Sequence, residues 1–97
     1  MKLLSEDVLQ QAAECLRVLG HPMRIRMVEI LAQGPKPVNE LAEMCDLPHH
    51  QACAHLRLMK SHGMLTSERH GQSVFYEIAD PRLPRLLKCI RANCENA

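Results

Sequence analysis

Aromatic side chains are nearly absent from this 97-residue chain: Phe75 and Tyr76 are the two it has, and there is no tryptophan. A core must therefore be assembled from Leu, Ile, Val, Met and Ala, and binding of single-stranded nucleic acid by base stacking, which needs aromatic platforms, is excluded. Long apolar runs are missing as well. The opening residues, MKLLSEDVLQ, carry acids within the first seven positions, so they suit neither a signal peptide nor a membrane span, and the expectation is a cytoplasmic protein without membrane contact. The five cysteines are odd in number and contain no CxxC pair, which argues against a disulfide scaffold or a zinc-finger module. No glycine-rich phosphate loop, nucleophile motif or oxyanion-hole loop is present. Six histidines and five cysteines bring some His/Cys pair together by chance, so a thiol enzyme is only a distant alternative. Net charge is +1, less than a DNA-binding domain usually carries, so any case for DNA rests on local charge. The length fits one domain, residues 1–97, of a size that often completes its core with a second subunit.

Acid is missing locally too. Of eleven acidic residues none falls between Leu47 and Ser67. This stretch belongs to a segment, Asn39 to Gly63, that reads as two helices joined by a tight turn. Val38, Leu41, Ala42 and Cys45 stand at i, i+3, i+4, i+7 on one apolar face. Asp46-Leu47-Pro48 interrupts them, with Pro48 suited to the start of the next helix and Gly63 to its end. The second helix turns Ala52, Leu56 and Met59 inward. His49, Cys53, Arg57 and Lys60, at i, i+4, i+8, i+11, form a stripe of donors and positive charge on its other side. A short helix, a turn and a basic helix is the pattern whose second helix enters a DNA major groove; a solvated face in an ordinary helical bundle is the plain alternative.

Ahead of this segment, Ser5 caps a first helix with an apolar stripe of Val8, Ala12, Cys15, Leu16 and Leu19, ending near Gly20-His21. A second helix runs from Pro22 through Leu31, and Gly34-Pro35-Lys36-Pro37 is a loop. Beyond Gly63 the period changes. Met64–Arg69 and Ser73–Ile78 read as strands, with His70-Gly71-Gln72 as the hairpin tip. Asp80-Pro81 opens a last helix with Leu83, Leu87, Ile90 and Cys94 on its apolar stripe and Arg82, Arg85, Lys88 and Arg91 on its other side. The fold class is therefore mainly α with a β-hairpin wing: a winged helix-turn-helix.

Four segments then match something known: LRVLGHPMRIR (residues 16–26), VNELA (38–42), HLRLM (55–59) and ERHGQSVFY (68–76). In this order they resemble the ArsR/SmtB family of small dimeric winged-helix repressors, many of them responsive to metals or metalloids. The resemblance covers about residues 12 to 94. It implies a homodimer formed by the first and last helices, a palindromic double-stranded DNA operator, and release of DNA on ligand binding. Carried over to this sequence, base reading falls to His49, His50, Gln51, Cys53 and Ala54, and backbone contacts of the wing to Arg69, Gln72 and Ser73. Gln51 can pair with an adenine edge, while Arg57 and Lys60 suit phosphates.

The cysteines carry the sensing question. Metal-binding relatives use thiols in an ELCxCDL pattern; here the stretch is Glu40-Leu41-Ala42-Glu43-Met44-Cys45-Asp46-Leu47, with Cys45 alone retained. A second family site uses Asp and His of the last helix, which has no histidine here. That helix carries Cys89 and Cys94, and Cys15 on the first helix is the natural third thiol. These three are the primary metal candidates, with Cys45 and Cys53 as alternatives. Thiolates suit soft ions such as As(III) or Cd(II), so the inducer is expected to be a thiophilic metal or metalloid. The alternative is a switch by cysteine oxidation or persulfide formation, for example between Cys15 and Cys89. On an α-helix, five steps separate Cys89 and Cys94 by roughly 140° and about 7.5 Å, and Cys15 and Cys94 also fit plain burial. Cys53, one turn from Arg57 and facing the groove, offers a direct block: its oxidation or metalation would obstruct docking through bulk and charge.

Overall fold

The computed structural model describes residues 1–95. Helix α1 (Glu6–Leu19) starts where the Ser5 hydroxyl accepts from the Val8 N–H at 3.3 Å, with Glu6 and Asp7 in the first turn where negative charge suits the dipole. It stops at Gly20. Helix α2 (Pro22–Leu31) begins at once, because the His21 ring caps it: Nδ1 accepts from the Met23 N–H at 3.1 Å. Next come strand β1 (Lys36–Pro37), helix α3 (Val38–Met44), helix α4 (His49–Ser61), strands β2 (Leu65–His70) and β3 (Ser73–Ile78), and helix α5 (Arg82–Ile90), which passes into a π-helical turn at Arg91–Glu95.

The turn between α3 and α4 has a specific construction. Asp46 adopts φ 54°; its N–H donates to the Glu43 carbonyl at 3.1 Å and the Leu47 N–H to that of Ala42 at 2.9 Å. This is the Schellman arrangement, with Asp in the left-handed position that glycine usually fills. Helix α4 ends in the same way on Gly63 (φ 75°), where the Met64 N–H donates to the Met59 carbonyl at 3.1 Å. Both methionines are buried, so the motif closes on an apolar contact.

The sheet has the order β1-β3-β2 and is antiparallel throughout. The β2–β3 hairpin runs in register from Leu65↔Ile78 to His70↔Ser73, leaving a two-residue Gly71-Gln72 loop. Gly71 at φ 65° supplies the positive φ that a II′ turn demands at its first central position. Strand β1 corrects the loop expected at residues 34–37: Lys36 and Pro37 pair with Tyr76 and Phe75. Two residues are too few to show a period, and Pro37 is tolerated because β1 is an edge.

The apolar faces of α3 (Val38, Leu41, Ala42, Cys45) and α4 (Ala52, Leu56, Met59) are buried as their spacing requires, joined by Val18, Met27, Leu31, Leu65, Tyr76, Leu83 and Leu87. Among the described residues no buried side-chain nitrogen or oxygen lacks a hydrogen bond. Helix α1 behaves differently. Of its predicted stripe only Leu19 is buried; Cys15 is half-buried, Ala12 is exposed, and Val8 and Leu16 keep 45% and 62% of their surface exposed. Within one chain α1 packs through its last turn and leaves an apolar face uncovered. Helix α5 buries Leu83 and Leu87, half-buries Ile90 and leaves Cys94 exposed; the wider π winding beyond Ile90 takes Cys94 off the expected stripe. No helix among the described residues is long and apolar enough to cross a membrane.

Candidate nucleic-acid interface

Helix α4 steps about 100° per residue. Its buried residues, Ala52, Leu56 and Met59, therefore lie on one side, His49, Cys53 and Arg57 follow on the next flank, and His50 and Ala54 face outward. The hairpin folds beside that flank. A cleft of about 270 Å³ results, lined by His49, Cys53 and Arg57 from α4 and Arg69, Gln72 and Ser73 from the wing. These are six of the ten residues that the sequence nominates for DNA, drawn from two separate elements. His50, Gln51 and Ala54 lie outside the cleft, exposed along α4. Lys60 is exposed as well, and its Nζ donates to Ser67 Oγ at 2.6 Å, tying the end of α4 to the base of the wing.

Two features missed by sequence reading complete the cleft. Asn39, exposed in the first turn of α3, forms part of the rim, and Tyr76 lies buried beneath. Burial pushes the Tyr76 phenol pKa up, helped by the nearby Cys53, with Arg57 pulling the other way. Asn39 falls between Val38 and Leu41, off the apolar stripe, and carries no periodic signal of its own; Tyr76 reads as an ordinary strand residue. Among the described residues no aspartate or glutamate lines the cleft, while Arg57 and Arg69 do. The N-terminus of α4 adds to this field: Pro48 provides no side-chain cap and the first turn holds no acid, leaving free N–H donors and the positive end of the helix dipole for an anionic partner. Basic clefts of this kind, with polar donors on a helix and a neighbouring hairpin, suit a duplex backbone and base edges.

The thiols are dispersed. Cys45 is buried, and burial raises its thiol pKa, with Arg26 acting weakly in the other sense. Cys15 and Cys53 are half-buried; Cys89 and Cys94 are exposed. Cys15 lies in a cleft of about 540 Å³ between α1 and the start of α5, near Arg82. The Asn93 amide donates to the Cys89 carbonyl at 2.8 Å. Past Ile90 the winding turns π-helical, so the separation expected for an unbroken α-helix does not carry over unchanged to Cys89 and Cys94. Among the described residues no group of three or more His, Cys, Asp or Glu side chains could hold a metal ion, so a single chain does not by itself unite Cys15, Cys89 and Cys94 into one site.

The family described as a helix-turn-helix domain matches residues 19–68. Over 81 residues the chain is 35% identical to the HTH-type transcriptional repressor SmtB of Mycobacterium tuberculosis, an alignment covering 84% of this chain and 60% of that protein. The chain thus spans about 60% of the length of that relative. It is 30% identical over 84 residues to the HTH-type transcriptional regulator NmtR of the same organism, covering 87% of this chain and 70% of NmtR. The homodimeric winged helix-turn-helix DNA-binding domain (fragment 1–100) of a possible ArsR-family transcriptional regulator from Mycobacterium bovis aligns with a TM-score of 0.81 at 26% identity, covering 99% of this chain and 92% of that one.

Proposed function

Starting from the fact that the chain belongs to the ArsR/SmtB family of winged-helix regulators, we propose that it is a homodimeric, cytoplasmic transcriptional repressor that binds double-stranded operator DNA and is released by a thiophilic metal or metalloid. The observation that carries the DNA half is the acid-free cleft in which α4 and the wing bring Arg57, Arg69, His49, Gln72 and Ser73 together. In this reading α4 lies in the major groove. Gln51, His49, His50, Cys53 and Ala54 meet base edges, and Arg57, Lys60, Arg69, Gln72 and Ser73 hold the backbone on either side. The dimer covers the apolar face of α1 and the neighbouring groove bounded by Leu16, Leu19, Ile25, Leu83, Leu86 and Ile90. Two copies of α4 then meet successive major grooves about 34 Å apart on a palindrome.

The release half rests on thiols. Cys89, Cys94 and Cys15 are the primary ligands in this proposal, with Cys45 and Cys53 as alternatives. Because one chain does not assemble three of them, a soft ion would draw on both chains of the dimer. The exposure of both Cys89 and Cys94 favours a second reading, in which oxidation or persulfide formation does the switching. Either way the ligand must cost the DNA complex a few kcal/mol through coupling between sites. Operator binding by the wild type and each Cys→Ser variant, with and without arsenite, Cd(II), Zn(II) and oxidant, separates these readings. Metal-induced release lost in Cys89→Ser or Cys94→Ser supports the first; release by oxidant alone supports the second; binding that no treatment weakens refutes both.

A further inference from the structure

We propose that Arg24 and His55 form a positioning pair that fixes the rotational setting of α4 against the end of α1, and thereby decides how sharply the chain discriminates its operator from other DNA. The inference rests on the DNA-binding reading above. Arg24 sits in the first turn of α2 and points two donors in different directions: Nη1 to the carbonyl of Val18 at 2.8 Å, near the end of α1, and Nε to Nδ1 of His55 at 3.1 Å, on α4. One guanidinium therefore bridges the proposed dimerisation helix and the proposed reading helix. The His21 ring, fixed by its cap on α2, lies against the His55 ring with centroids 4.5 Å apart and a 53° tilt. His55 Nδ1 acts as an acceptor here, so the ring is held neutral with its proton on Nε2. Burial first, then the neighbouring His21 and Arg24, lower its pKa, consistent with that form.

The position of His55 on α4 gives the pair its role. The buried residues Ala52, Leu56 and Met59 anchor the helix through apolar contact, which has no directional preference. Polar ties flank that stripe on both sides: Lys60 to Ser67 on the wing side, and His55 to Arg24 on the other. Hydrogen bonds are directional, so the two flanks stop the helix from rolling on its apolar bed. The side-chain envelope of a helix has a radius of roughly 5–6 Å. A roll of about 20° would then move a reading side chain by about 2 Å, more than the width of the hydrogen-bond window to a base edge. Phosphate contacts by long Arg and Lys side chains tolerate such a shift. Loss of the tie should thus cost specific binding and spare nonspecific binding.

The test uses the full chain, a duplex selected by the wild type from random sequence, the same duplex with its half-sites moved apart or together by one base pair, and poly(dI-dC) as nonspecific DNA. Arg24→Met keeps the apolar stem and removes both donors; His55→Phe keeps a ring and removes the acceptor; His55→Asn restores an acceptor near the Nδ1 position. Thermal melts establish that each variant is folded. Arg24→Met and His55→Phe should weaken binding to the selected duplex about tenfold, the worth of one base contact, with poly(dI-dC) binding unchanged and the preference for half-site spacing flattened. The double variant should be no worse than Arg24→Met alone, which already removes the bond to His55, and His55→Asn should recover most of the loss seen in His55→Phe. Folded variants that retain the wild-type ratio of specific to nonspecific affinity and its spacing preference would overturn the positioning role. A uniform loss on both DNAs would equally overturn it, showing a purely structural role. If the wild type itself selected no sequence, the DNA-binding reading would fail, and this inference with it.

Discussion

Leu16 gives the clearest quantitative handle on assembly. It keeps 62% of its surface exposed in one chain, on the rim of the apolar groove that α1 shares with α2 and α5. Fully burying a leucine stabilises by about 1.5–3 kcal/mol, so covering the remaining surface is worth about 1–2 kcal/mol per chain. A two-fold dimer repeats every contact; replacing both copies should cost about 2–4 kcal/mol, or roughly 30- to 1,000-fold in the dimer dissociation constant. Leu16→Glu adds the cost of placing two carboxylates in an apolar seam. Because Leu16 contributes little to the core of a single chain, the far-ultraviolet circular dichroism of the variant should match that of the wild type. Sedimentation equilibrium across a dilution series reads the constant directly. A Leu16→Glu protein that dimerises as tightly as the wild type would refute the assignment of this face to the interface.

Other consequences follow from individual residues. Gly63→Ala should destabilise the chain by about 1–2 kcal/mol in urea unfolding, because φ 75° is strained for any residue with a Cβ even though the space there is open. Arg57→Ala and Arg69→Ala should each reduce the steepness of log K against log salt by about one while leaving sequence preference intact. Maleimide labelling should reach Cys89 and Cys94 first and Cys45 last, since Cys45 is buried with a raised thiol pKa; equal rates would contradict the packing of α3. Glu14 is held at a pKa of about 2, against an ordinary value of 4.5, by Arg17 and then His62. Its contribution to stability should be complete above the ordinary value and fade as pH falls through about 2. The stability difference between the wild type and Glu14→Gln should therefore vanish at the acid end of a pH series.

Much of this architecture can be read from local chemistry. The buried faces of α3 and α4 follow from residue spacing, their ends from Asp46 and Gly63, and the hairpin from Gly71 between two β-prone runs. What escaped reading depends on tertiary approach. The two-residue strand β1 exists because β3 offers a free edge. The place of Asn39 on the cleft rim depends on how α3 meets the wing. The bond from Arg24 to His55 spans 31 positions, which no periodicity can reveal. The α1 stripe shows a third case: its spacing correctly marks an apolar face, but spacing cannot tell whether that face meets the same chain or another, and here Val8 and Leu16 stay exposed. Likewise Cys94 falls on the α5 stripe only if the helix stays α-wound, and past Ile90 it does not.

Hydroxyl-radical footprinting of the wild-type protein, on a duplex it selects from random sequence, tests the central claim most directly. Docking of α4 and the wing by a two-fold dimer predicts two equivalent protected patches on one face of the duplex, centred about one helical turn apart, which fade together as salt is raised. A single unpaired patch, or no protection at DNA concentrations that saturate binding, would contradict it.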